Sequence, residues 1–240
     1  MNKKIKRLLI GCLSMLLLLG FSNNVYASEN SDATREKYIE LIEYFTAQDF
    51  INADSALSNE TSFEYMNEEE KNDYIMEIMV NNYYSAPSLY YLPGMYDQLN
   101  SAEKALASAH PYQATQYYIS AEVAENYTNN LFGYNGYQDS SDAFRHSFWN
   151  GVLTIRIGSS AAKTWTDAHE TTSSGVDKQM DLFNNALGRS ICVEMGYENL
   201  SGSSNSQGIA TKLLSDNIYS AIKSGRGKII VNGVLRPSNY

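Results

Sequence analysis

The chain has 240 residues, a formal net charge of −9, 43% hydrophobic residues and 12% aromatic ones. That apolar and aromatic content excludes a disordered chain. The acidic balance excludes a protein whose affinity comes from neutralising phosphates, so no nucleic-acid partner is expected.

Residues 1–27 read as a cleavable export signal. Lys3, Lys4, Lys6 and Arg7 form a basic start, Leu8 to Phe21 an apolar run, and Val25-Tyr-Ala27 a small-x-small site before Ser28. The run falls short of the roughly 20 residues that span a bilayer, so no transmembrane segment is expected after cleavage. Leu9-Ile-Gly-Cys12 resembles a lipoprotein box but precedes most of the apolar stretch, and simple secretion, with cell-envelope association open, is the expectation it yields to. Without the signal the chain has 14 basic and 27 acidic side chains, a net charge of −13. Cys192 is then the one remaining cysteine and no intramolecular disulfide is available. Its apolar setting marks it as a packing residue, since a nucleophilic thiol requires an electropositive one.

Residues 28–98 read as an acidic, tyrosine-rich helical region. Tyr38, Leu41, Ile42 and Phe45 recur at helical spacing, as do Tyr74, Ile75, Ile78 and Met79 after the solvated start Asn67–Asn72. Pro87, Pro93 and Gly94 interrupt the stretch Tyr83–Tyr96 and place a boundary there. Residues 99–240 form the second region. Asn100 and Glu103 make a capping pair for a short helix that His110-Pro111 ends, with His110 at its terminus. Helices are predicted over about 112–130, 142–157, 159–170, 176–195 and 209–223, with stops at Gly158 and Gly196. Apolar runs either side of Asn232-Gly233 predict a hairpin. The fold class is mainly α, a helical bundle with a small C-terminal β-hairpin, the N-terminal helices being packed on it or tethered to it.

The helix over 142–157 is apolar around most of its circumference, yet Asp142, His146, Asn150 and Thr154 recur at i+4 and stack in one stripe. Buried polar groups left unpaired cost about 1–3 kcal/mol each, so the stripe requires partners. They are available in Asp167-Ala-His169-Glu170 and in Asp181, Asn184, Asn185 and Arg189 of the later helices. Gly188, inside a predicted helix, marks a close helix contact or an approaching ligand.

Asp142-Ala-Phe-Arg145-His146-x-x-Trp149-Asn150, Ala168-His169-Glu170 and Met180-Asp181-x-x-Asn184-Asn185-x-x-Gly188-Arg189 together resemble an uncharacterised bacterial domain of unknown function. That domain carries these motifs in this order and occurs in secreted proteins and at the ends of polymorphic toxin chains. The resemblance covers roughly residues 100–240 and implies no settled activity.

Two classes of function follow. In a secreted hydrolase, His146, His169 and Asp181 supply three ligands to a divalent metal such as Zn²⁺, with Glu170 as general base and Asp142 or Asn150 orienting His146. A metal-free form makes His146 the base, oriented by Asp142, with Arg189 or Arg145 stabilising an oxyanion. Arg145-His146-Ser147 is also similar to the Arg-His-Asp helix of bacterial phospholipases A2, with Ser147 in place of the Asp. The other class is a non-catalytic binding module at the cell surface, whose polar stripes are a structural network and whose tyrosines between 83 and 96 make contacts. The substrate is not specified by any of these features.

Overall fold

In the computed structural model, residues 27–85, 99–200 and 204–240 are described. The expected export signal up to Tyr26, the lipoprotein box and Pro87, Pro93 and Gly94 lie outside them. The chain divides into two units, Met1–Ala33 and Thr34–Tyr240. The described residues of the first are the opening turns of α1 (Ala27–Leu41).

In the second unit α1 is followed by α2 (Ala47–Asn59) and α3 (Glu68–Ser85), with short 3₁₀ turns between them. Capping boxes start α2, where Thr46 pairs with Asp49, and α3, where Asn67 pairs with Glu70. Tyr38, Ile42, Phe45, Ile75 and Met79 are buried, as their spacing predicts. These helices rest on the remainder of the unit. Phe50 packs on Tyr118 with the rings tilted by 31° and their centres 4.3 Å apart, and Asn72 Oδ1 accepts a 3.0 Å hydrogen bond from the Tyr112 amide.

There follow α4 (Ser101–Ala109), α5 (Pro111–Phe132), α6 (Ser140–Ile157), α7 (Ser159–His169), α8 (Gly175–Glu194) and α9 (Ser204–Lys223). The fold is thus mainly α, with nine α-helices and a two-stranded antiparallel sheet among the described residues. None of these helices is long and apolar enough to cross a membrane.

The apolar α6 lies at the centre and packs against α5, α7, α8, α9 and β1. It starts at Ser140 rather than Asp142, because Asp139 caps it by accepting from the amides of Ser141 and Asp142. It ends at Gly158, whose φ of 83° is one a side chain disfavours. Phe144, Phe148, Val152, Leu153 and Ile155 are buried on several sides of it.

Strands β1 (Lys228–Val231) and β2 (Val234–Pro237) pair with Val231 opposite Val234. Asn232 and Gly233 both have positive φ, 53° and 75°, the conformation that a two-residue hairpin turn demands.

Candidate functional site

Asp142 and His146 stand one turn apart on α6, and Asp181 faces them from α8. His146 Nε2 is 3.5 Å from Asp142 Oδ1 and 3.5 Å from Asp181 Oδ1. One ligand atom from each of the three residues lies within 4.8 Å of the others, a spacing that can hold a metal ion. The His146 side chain is 11% exposed, and both carboxylates are buried. No hydrogen bond reaches Asp181 Oδ1.

Electrostatics follow from this crowding. Burial, reinforced by Glu170 and Asp142, pushes the Asp181 carboxyl up to about 8. Burial raises Asp142 as well, against the pull of Arg145. Burial and the Arg145 charge press the His146 imidazole down to about 4, so it is neutral at pH 7. Arg145 pairs with Asp142 Oδ1 and also donates to Asn135 Oδ1 and the Gly136 carbonyl, while Asp142 Oδ2 accepts from the Gln138 amide.

On the opposite edge of the imidazole, Nδ1 is 3.3 Å from Asn185 Oδ1 and 3.9 Å from Glu170 Oε1. Asn185 Oδ1 accepts from Asn150 Nδ2 at 2.7 Å, and Asn150 Oδ1 accepts from Arg189 Nη1 at 2.6 Å. Thr166 Oγ1 lies 2.9 Å from the same Asn150 oxygen and 3.2 Å from Arg189 Nη1. Asn185 Nδ2 reaches Glu170 Oε1 at 3.4 Å, while Glu170 Oε2 is buried without a hydrogen bond.

The profile of a domain of unknown function, DUF6973, matches residues 104–225. The chain belongs to this family. No curated protein and no solved structure matches it. The DUF6973 match contains α5 to α9 and all three polar segments, and it stops short of the hairpin.

Within the DUF6973 domain, two of the expected ligands, His146 and Asp181, fall in the group that could hold a metal ion, and the third member among the described residues is Asp142, one turn from His146 on the same helix face, rather than His169. His169 Nδ1 is instead 2.8 Å from Glu103 Oε1 of α4, an oxygen that also accepts from the Tyr117 hydroxyl. Glu103 was legible in sequence only as a capping residue, and that role is present too: its Oε2 accepts from the Asn100 amide at 2.8 Å. Asn100 extends the link by donating from Nδ2 to the Ala168 and His169 carbonyls.

Asn184, adjacent to Asn185 in sequence, is turned away from the site. Its amide exchanges two 2.9 Å hydrogen bonds with the Lys228 backbone and anchors β1 to α8. Trp149 lies between the two histidine neighbourhoods, with ring centres 6.4 Å from His146, 5.1 Å from His169 and 4.9 Å from Tyr117. Gly188 marks a helix contact: a Cβ there would lie 1.7 Å from the Ser147 carbonyl oxygen. Ser147 is therefore part of that buried contact. Cys192 is buried and free, its thiol pushed up to about 12 by burial, in keeping with a packing role. His110 pairs with Glu68 at the surface, 3.1 Å away.

Proposed function

We propose that the chain is a secreted hydrolase that works with a divalent cation held by Asp142, His146 and Asp181. The observation that carries this reading is the convergence on His146 Nε2 of two carboxylate oxygens, each 3.5 Å away, one of them buried without a hydrogen bond. Two carboxyls gathered out of water at one imidazole edge are costly as anions unless something positive joins them, and the upward push on Asp181 reflects that cost. Two oxygens and one imidazole nitrogen suit Zn²⁺ or Mn²⁺. Three protein ligands also leave coordination open, as catalytic sites require. A cation so held activates water or polarises a carbonyl or phosphoryl oxygen.

The protein's own groups hold this arrangement. Arg145 fixes Asp142, and Asn185 and Glu170 face the far edge of His146. Glu170 therefore supports the imidazole instead of serving as general base at the Nε2 edge. The metal-free form is the weaker alternative, because both nitrogens of His146 face protein groups and neither is presented to a substrate. Export rests on the character of residues 1–27.

Elemental analysis and titration with Zn²⁺ or Mn²⁺ test the reading, alongside a panel of ester, phosphodiester, glycosidic and peptide substrates. One cation per chain is expected, lost together with hydrolysis in His146→Ala and Asp181→Asn variants that remain folded. A wild-type chain that binds no cation overturns it. A second reading, the non-catalytic surface module, is favoured by the internal satisfaction of Asn150, Thr166 and Arg189. It predicts neither cation nor hydrolysis.

A further inference from the structure

We propose that Arg189 dictates the tautomer of His146 without touching it, through Asn150 and Asn185. The inference follows from which groups can only donate and which can only accept. A guanidinium has no acceptor. Arg189 Nη1 lies 2.6 Å from an Asn150 side-chain atom, which must therefore be the carbonyl oxygen. Its amide nitrogen then points the other way, and the 3.1 Å contact of that nitrogen with the His146 backbone carbonyl, an acceptor, agrees.

The same nitrogen lies 2.7 Å from Asn185, so the Asn185 atom facing it is an oxygen. The Asn185 nitrogen in turn faces the Glu170 carboxylate at 3.4 Å. Asn185 Oδ1 is left to meet His146 Nδ1 at 3.3 Å, and that contact is a hydrogen bond only when Nδ1 carries the proton. In a neutral imidazole the remaining nitrogen is then bare. Nε2 thus presents its lone pair between Asp142 Oδ1 and Asp181 Oδ1.

The existence of this relay depends on donor and acceptor chemistry alone, while its purpose rests on the proposed cation site. A cation requires a deprotonated nitrogen. With the opposite polarity, an Nε2 proton would point at the carboxylates and close the site to metal. Arg189, Asn150 and Asn185 are positioning residues in this scheme, and the ligand they prepare for is a divalent cation of the Zn²⁺ type.

Long-range ¹H–¹⁵N spectra of the labelled chain in chelator test the relay. The sequence has three histidines, so His146→Gln assigns the signal. The expected species has Nδ1 protonated and Nε2 bare. Asn150→Asp keeps a partner for Arg189 but cannot donate to Asn185. It should shift His146 toward the Nε2–H form and weaken Zn²⁺ binding about tenfold or more. Arg189→Lys, still a pure donor, should retain the Nδ1–H form.

An Nε2–H wild type, or an unchanged tautomer in folded Asn150→Asp, overturns the relay. If that variant does not fold, the wild-type spectrum decides by itself. An Nδ1–H wild type that binds no Zn²⁺ supports the relay and overturns the cation reading. Zn²⁺ binding by a chain whose metal-free form is Nε2–H overturns the relay alone.

Discussion

Glu103 divides its two carboxylate oxygens between a helix cap and a histidine 66 positions away. Burial opposes its ionisation, but hydrogen bonds from His169 and Tyr117 outweigh that and hold it below its ordinary 4.5. His169 experiences the reverse balance: burial lowers it, Glu103 raises it, and it ends above 6.5. A lowered acid stabilises the fold above 4.5 and loses that contribution as pH falls through its folded pKa. A raised histidine stabilises fully below 6.5 and loses it as pH rises through its folded pKa. The melting-temperature gap between wild type and Glu103→Gln should therefore peak between these values and narrow as pH rises through the folded pKa of His169. Thermal scans giving one gap at every pH would contradict this. Asp181→Asn should behave oppositely: in chelator it is expected to melt above wild type, since it removes a carboxyl that burial penalises, while it loses cation binding. How far the site could be read from sequence shows in these residues. The i+4 stripe revealed that Asp142 and His146 share a face, but not that both address one point. Glu103 was hidden because its capping role already explained it.

The crossing of α6 and α8 fixes how the halves of the site meet. Gly188 lies against the Ser147 backbone, and a Cβ at Gly151 would meet the Gly188 carbonyl oxygen at 3.3 Å. Gly188→Ala forces backbone apart, which no side-chain rotation relieves. A loss of about 1–3 kcal/mol or more is expected in denaturant unfolding, with cation affinity falling in parallel. Asn184→Ala should release the hairpin instead. Hydrogen exchange at the β1 amides is expected to quicken, while the His146 environment, read by its imidazole signals, stays as in wild type. Helical periodicity and capping chemistry made the helices and the Asn232-Gly233 turn legible, since both are local. The sequence showed that Gly188 required a close neighbour, but a partner 41 residues earlier in the chain lies beyond what local spacing can specify. The same limit assigned Asn184 to the site, although one helical residue turns about 100° and carries it to the hairpin.

At the scale of the whole chain, Cys192 is the free cysteine among the described residues, and no disulfide supports them. Reductant should leave the melting temperature unchanged. Saturating Zn²⁺ or Mn²⁺ should raise it, by about 2.7 kcal/mol of stability at one hundred times Kd, and leave Asp181→Asn unmoved. A wild-type chain insensitive to both cations would count against the site. The DUF6973 match runs from 104 to 225, yet two supports of its interior lie just beyond those limits. Glu103, the partner of His169, immediately precedes the match, and Lys228, the partner of Asn184, follows it by three residues. A protein trimmed to the matched residues would therefore keep every ligand of the proposed centre while losing the clasp at each end. The shortest piece that keeps both clasps reaches from Asn100 through the hairpin.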